Sequence, residues 1–537
     1  MDQHNFDYII AGGGTAGCVL ANRLTVERDV RVLLLEAGPP DSNPMIHLPP
    51  GYGFLLGRYD WRFATTPQRH CYGRRIPLAQ GRVIGGGGSV NAQVFTRGQP
   101  GDYDEWASEY GCVGWSFKDV QPYFLRSEGN ARLGPPWHGQ TGPLKVSDPA
   151  TLNPLSAAWI EAAQQHGLPY SDDFNGATQY GVGPYQTTTY RGKRWSTASG
   201  YLRPALQRPN LTLRTGRRLT RLLLAGDQVY GVEVLNAGGQ REQFFASREV
   251  LVTAGGLGSP RLLMLSGIGD PADLRAHGVV PKVDLPGVGQ NLHDHYAVHV
   301  VCQVGQRLGI DQYRRLRRDT LRVGLDYLLR HSGPASSTGV EVGGFSYSGR
   351  RPTQPDLQHH FLPALDGQSA GSLVPPGYGC KFDTNFSRPR SRGRLSLISA
   401  DPLDSLQVDP NYLADPLDLE MNVQALEQCL DIVSQPALAR YGTRVLSEGH
   451  DLSLRSGREN YVRGLGRSAS HLVGTCAMGA GQMAVVDPQL RVHGLRGLRI
   501  CDSSVMPRLI SSNTQAPTVM IAEKAADLVL GKVAPPD

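Results

Sequence analysis

The sequence predicts an α/β protein in which one domain, built from separated segments, encloses a second, loop-rich domain. Three observations carry this. The chain opens on strand, glycine turn, helix, strand in "FDYIIAGGGTAGCVLANRLTVERDVRVLLLEAG". Strand, glycine turn and helix recur in "REVLVTAGGLGSPRLLMLSGIG" (248–269). Near the end, "LRGLRICDSSVMPRLISSNTQAPTVMIAEKAADLVLG" runs strand, loop, helix. Such units at both ends of the chain fit a single sheet fed by distant segments, with the Pro- and Gly-punctuated middle set apart. No repeat of fixed period is present.

In the first unit, the apolar runs Tyr8–Ala11 and Val30–Leu35 read as strands, and Val19, Leu20 and Leu24 fall at helical spacing between them. The turn reads Gly12-x-Gly14-x-x-Gly17, and Glu36 closes the second strand. The glycines allow a tight turn, close backbone approach to a pyrophosphate and close helix–strand packing. The helix start offers free N–H groups to phosphate, and the acid can accept from a ribose. This is a Rossmann-like dinucleotide site, and the motif alone leaves NAD and FAD open. A second glycine stretch, "GRVIGGGGSVNAQVFTRG" (81–98), is flanked by Val83, Ile84, Val90, Val94 and Phe95. Four successive glycines suit neither helix nor strand interior, and the apolar flanks argue for backbone lying close to a large planar ligand rather than for an exposed loop.

Length and composition narrow the class. At 537 residues the chain holds roughly three domains' worth of material. Its net charge of +6 is spread out except for "RRLRR" (314–318), which reads as a solvated face of a helix, not a nucleic-acid patch. The eight cysteines form no C-x-x-C pair, which speaks against disulfide frameworks and thiolate zinc sites. The N-terminus has no basic n-region, so no cleavable signal is expected, and no apolar run has spanning length. The expected setting is the reducing cytoplasm, with peripheral docking to a membrane left open.

The ordered matches "GRVIGGGGSVNAQVFTRG", "GDYDEWA", "WHGQTGPL", "DFNGA", "GYLRPAL", "TAGGLGSPRLLMLSGIG", "LPGVGQNLHDH", "VDPNYLADPLDLE", "HLVGTCAMG" and "ICDSSVMPRLISSNTQAPTVMIAEKAADL", with the N-terminal turn, resemble the glucose–methanol–choline (GMC) family of FAD-dependent oxidoreductases over nearly the whole chain. The resemblance implies an α+β whole: an FAD-binding domain from 1–150, 209–300 and 485–537, and a substrate domain from 151–208 and 301–484 with a mixed or antiparallel sheet and helices. It places Gly12, Gly14, Thr15, Ala16, Gly17 and Glu36 on the ADP half of FAD and Leu219 against the adenine. Gly86, Val90, Asn91, Asp502, Ser503 and Gln515 would lie along the flavin half. His471 falls on the catalytic histidine and Asn513 on its partner. The chain departs from the family at Gly87 and Gly88, where serines are usual, at Leu472 for a common proline, and at Ser470 for a common aromatic residue. Val90 stands where some relatives carry a histidine bonded to FAD, so the cofactor is expected to be non-covalent.

Read by itself, His471 in "SASHLVGTCAMG" could be structural, half of a thiol pair with Cys476, a metal ligand or a base. Cys476 lacks evident oxyanion donors and reads as a buried hydrophobe. "HDH" (293–295) puts two imidazoles on one side of an extended chain but lacks a third ligand, so no metal is assigned. His359 and His360 alternate across an expected strand, where one ring would face the substrate cavity. Alcohol oxidation needs a base near neutral pKa and a donor for the alcohol oxygen, which the resemblance assigns to His471 and Asn513. The densest matches are to the family's ketose-oxidising members. They imply oxidation of a primary hydroxyl of a sugar or polyol, L-sorbose first, to the aldehyde, with a quinone or dye rather than oxygen as electron acceptor. Ser470 would leave the mouth roomy and polar. Choline, glycol and aryl-alcohol oxidation, a flavin-containing hydroxynitrile lyase, and a non-catalytic nucleotide-binding protein are the alternatives. The alcohol, the acceptor and the oligomeric state are not legible.

Overall fold

The computed structural model describes residues 4–313, 318–349, 353–365 and 377–532. Its first sheet has seven strands. Leu211–Arg214, Val32–Leu35, Asn5–Ala11 and Arg241–Val252 lie side by side in parallel. The last of these is long enough to be shared along its outer edge. Its first half pairs antiparallel with Gln228–Asn236, which pairs on with Arg217–Ala225, and its last residues pair parallel with Leu498–Ile500. The central strands read as continuous apolar runs because both faces are covered: Ile9, Ile10, Leu33, Leu34, Leu251 and Val252 are fully buried.

One face is covered by the helices Thr15–Leu24 and Gln515–Val529, which pack on each other. Small residues (Ala21, Ala522, Ala525, Ala526) allow the close approach. Glu523, fully buried between them, accepts from Arg23 (2.7 Å) and Tyr201 (2.7 Å) and pairs with Arg126 (2.8 Å). Removing one partner of such a buried charge typically costs about 3–5 kcal/mol.

The second sheet is antiparallel and also seven-stranded. Its order is Arg444–Val445, Tyr296–Val304, Tyr378–Phe386, Leu357–Leu362, Val342–Ser346, Gly181–Pro184, with Arg467–Ser468 beside the start of Tyr296–Val304. The helices Pro154–Gln165 and Pro416–Ser434 close its apolar face, where Trp159 stacks on Phe361 at 5.8 Å.

The mixed α/β class is thus as expected. Two expected domain limits do not coincide with the breaks between the sheets. Residue 300 lies inside Tyr296–Val304, whose strand pairings are all within the second sheet. Leu472, Val473, Cys476 and Met478, expected in the substrate domain, pack into the core of the first sheet. Of "RRLRR", only Arg318, which opens the helix Arg318–Arg330, is among the described residues.

Candidate active site

The first glycine turn is sterically closed to side chains. Gly12 has φ +131°, and a Cβ there would lie 2.5 Å from the Thr253 carbonyl oxygen; one on Gly17 would lie 1.9 Å from that of Gly12. Helix Thr15–Leu24 starts at Gly14 with no side-chain cap, so its first N–H groups remain available to an anion. Ala16 is buried in the core and the Thr15 hydroxyl reaches the Gly85 carbonyl at 3.3 Å. Beside the turn, a cleft is lined by Gly12, Gly14, Glu36, Trp61, Arg218 and Leu219 among others. Glu36 accepts from the backbone N–H of Gly13 (2.9 Å) and Gly38 (2.7 Å). Burial pushes its pKa up to about 7 despite those donors, and each oxygen keeps a lone pair for a further donor.

The second glycine stretch packs against the first. Gly85 N–H donates to the Gly13 carbonyl (2.8 Å), and a Cβ on Gly86, at φ +53°, would come within 2.8 Å of Gly14 Cα. Asn91 donates to the Gln515 side-chain oxygen, and the Gln515 amide nitrogen is buried without a partner. Val90 packs with Ile46, Leu55 and Val83. The Asp502 carboxylate is spent locally, accepting from Gly255 N–H (2.8 Å), the Ser259 hydroxyl (2.6 Å) and Ser504 N–H (2.9 Å), with Ser503 half-buried beside it.

Three antiparallel backbone bonds hold the segments 293–295 and 469–473 together: His293 N–H to Val473 O, Val473 N–H to His293 O, and Ala469 N–H to His295 O. They bring the rings of His295 and His471 edge to face. His295 Nε2 is 3.0 Å from the carbonyl of Ser387, which can only accept, so Nε2 carries the proton. In the neutral ring His295 Nδ1 is then a bare acceptor, and His471 Nδ1–H donates to it at 2.9 Å. His471 Nε2 is left unprotonated and accepts from Asn513 Nδ2 at 3.3 Å. The amide orientation follows from Asn513 Oδ1, which accepts from the Thr96 hydroxyl (3.0 Å) and Gln358 Nε2 (2.9 Å). Burial is the main cause keeping the rings neutral: His295 is pushed down to about 4 and His471 well below the usual imidazole range, with the neighbouring rings adding to the effect. Asp294 accepts from His471 N–H (2.6 Å) and the Tyr412 hydroxyl (2.6 Å) and so fixes the loop.

Two sequence profiles, both of the GMC oxidoreductase family, match residues 6–297 and 389–522. The chain belongs to the GMC oxidoreductases. It is 39% identical to an alcohol dehydrogenase [acceptor] of Pseudomonas putida and 37% identical to an oxygen-dependent choline dehydrogenase of Brucella ovis, each over 98% of this chain and 96% of the relative. Among solved structures, pyridoxine 4-oxidase from Mesorbium loti superposes with TM-score 0.87 at 32% identity, covering 97% of this chain and 98% of that one. Formate oxidase of Aspergillus oryzae superposes with TM-score 0.93 at 27% identity, covering 99% of both. This GMC oxidoreductase therefore acts on CH–OH groups of its donors.

GMC oxidoreductases bind FAD, and the residues present suit it. The cavity offers helix N–H groups, an acid and the apolar Leu219 in one place, and the unpartnered Gln515 amide lies where the two glycine turns meet. Of the sequence-predicted residues, Gly12, Gly14, Glu36 and Leu219 line one cavity, whereas Val90, Asn91 and Gln515 gather at the second turn.

Sequence reasoning missed two residues of this GMC oxidoreductase. His295 was legible only as half of a weak metal pattern, yet it and its neighbour part ways: His293 accepts from Leu509 N–H (2.8 Å) while His295 meets His471. Arg194 is buried under the second turn, donating to the carbonyls of Ile46 (2.8 Å) and Asn91 (2.7 Å), with one terminal nitrogen unpartnered. Of the adjacent pair, His360 faces Asn513 (3.5 Å), and His359 turns to Ser346 (2.7 Å) and Thr384 (3.0 Å) in the core. Ser470, at φ +62°, accepts from Ala79 N–H (3.2 Å).

Proposed function

We propose that this GMC oxidoreductase is a dehydrogenase that converts a primary hydroxyl of a neutral sugar or polyol, L-sorbose first among candidates, to the aldehyde. The observation that carries the reading is the bond sequence Ser387 carbonyl, His295, His471, Asn513, which leaves an unprotonated Nε2 beside an amide donor. His471 Nε2 accepts the hydroxyl proton and Asn513 Nδ2 donates to the alcohol oxygen. FAD, when bound, supplies the hydride acceptor. Segments within 1–150, 209–295 and 472–537 hold FAD in this reading, and segments between them shape the alcohol pocket.

The side chains that meet Asn513 are hydroxyl, amide and neutral imidazole, and among the described residues no carboxylate touches the Asn513 or His471 side chain. That favours an uncharged alcohol over a quaternary ammonium such as choline. The Pseudomonas relative, named for an acceptor, supports a quinone or dye as electron sink, although the Brucella relative is named for oxygen. Steady-state rates with L-sorbose, choline, benzyl alcohol and a glycol, each with dye and with oxygen, test both points. Preference for choline or benzyl alcohol overturns the substrate, and peroxide formed at the dye-linked rate overturns the acceptor. FAD is held non-covalently, since Val90 is a hydrocarbon side chain inside an apolar cluster. The protein is expected to purify yellow and to release its flavin on denaturation; flavin that stays with the denatured chain refutes this.

A further inference from the structure

The helix Arg318–Arg330 (RDTLRVGLDYLLR) buries none of its residues. At about 100° per residue, Leu321, Leu325, Leu328 and Leu329 fall on one arc, and they are between 55% and 74% exposed. Arg318 and Arg322 lie on or beside that arc, while Thr320, Val323, Gly324 and Tyr327 form the half-buried inner side. Asp319 pairs with Arg307 (2.9 Å), and Asp326 approaches Arg322 only at 3.9 Å, an exposed contact that leaves the Arg322 guanidinium open to other anions. The turn Pro334–Ser336 packs against both this helix and the turn Pro49–Phe54, and that second turn carries exposed Phe54 (72%), followed by exposed Leu56, Arg58 and Arg62.

We propose that this face docks on an anionic phospholipid bilayer, the leucines and Phe54 entering the acyl boundary and the arginines meeting lipid phosphates. Charge chooses the occupant. Two copies joined through this face would set arginine against arginine, whereas an anionic surface complements the rim, and a leucine arc beside arginines is the pattern of a helix lying in a membrane interface.

The test is flotation of the FAD-loaded protein with phosphatidylcholine vesicles, with and without phosphatidylglycerol. At least ~10-fold stronger partitioning to the phosphatidylglycerol vesicles is expected, falling steeply near 1 M salt, where the screening length is about 3 Å. The variant Leu325→Ser/Leu328→Ser/Leu329→Ser and the exposed charge reversal Arg318→Glu/Arg322→Glu should each lose ~10-fold or more of the binding, with dye-linked activity in solution unchanged. Should the leucine variant fail to fold, the arginine variant decides. Wild-type protein that ignores phosphatidylglycerol vesicles, variants that float like wild type, or a wild-type dimer that the leucine variant splits without any vesicle binding would each overturn the proposal.

Discussion

At His471 the choice of which ring nitrogen carries a proton is made two hydrogen bonds away, at the carbonyl of Ser387. Replacing His471 with Ala should slow anaerobic flavin reduction by alcohol by roughly 10²–10⁴-fold, the usual contribution of a positioned acid–base group, with FAD still bound; near-normal reduction would return the ring to a structural role. Asn513→Ala should be milder and should shift the pH profile less. His295→Gln keeps an acceptor for His471 Nδ1–H and should lower kcat less than His295→Ala, for which a loss of ~10–10²-fold is expected from misplacement of the base. Equal rates in the two His295 variants would show that the ring merely fills space. Because burial holds His471 well below the usual imidazole range, the base stays unprotonated as pH falls. The kcat/KM profile should therefore stay flat through pH ~6.5, the ordinary imidazole value, and bend only in more acid solution.

The strands Asn5–Ala11 and Val32–Leu35, the helix Thr15–Leu24 and the C-terminal strand and helix were legible because apolar period and glycine position are local signals. The second sheet was expected from family likeness, and only its strand at His359 and His360 was read directly, since strands such as Tyr296–Val304 and Tyr378–Phe386 pair across an intervening helix and two further strands by packing that no single window records. His471 and Asn513 could be named from family likeness, but His295 could not, because its role depends on a carbonyl 92 positions away. The glycine turns permit a sharp contrast. Gly17→Ala sets a Cβ against backbone at 1.9 Å, and should cost more than ~3 kcal/mol and abolish FAD retention. At Gly87 a Cβ meets nothing within 4 Å, so Gly87→Ser, the residue usual in the family, should stay within about 0.5 kcal/mol of wild type. Thermal unfolding and flavin content measure both.

Across the whole molecule, buried neutral imidazoles tie stability to pH. His295, His359 and His360 are pushed down to about 4 by burial, and His293 and His471 are also lowered. Between the unfolded value of about 6.5 and the folded ones, only the unfolded chain takes up these protons, so stability is lost as pH falls through that window, by up to about 1.4 kcal/mol per pH unit for each ring. Asp294 and Glu36, raised by burial to about 6 and about 7, act oppositely, adding stability in acid that fades as pH rises through those values. The imidazoles outnumber them, and Tm should drop between about pH 6.5 and about pH 4; a Tm that rises on acidification contradicts this balance. The shared edge of Arg241–Val252 has a further consequence, for synthesis. At roughly 5–20 residues per second, Leu498–Ile500 leaves the ribosome on the order of half a minute to a minute and a half after Asn5–Ala11, its neighbour across that strand. Until then the nascent first sheet carries an open edge at Val250–Val252 and lacks the helix Gln515–Val529 that covers its face. A ribosome that stalls before residues 498–529 have been translated therefore strands a chain whose first sheet is paired but unsealed, and that sheet has to be shielded until this segment arrives.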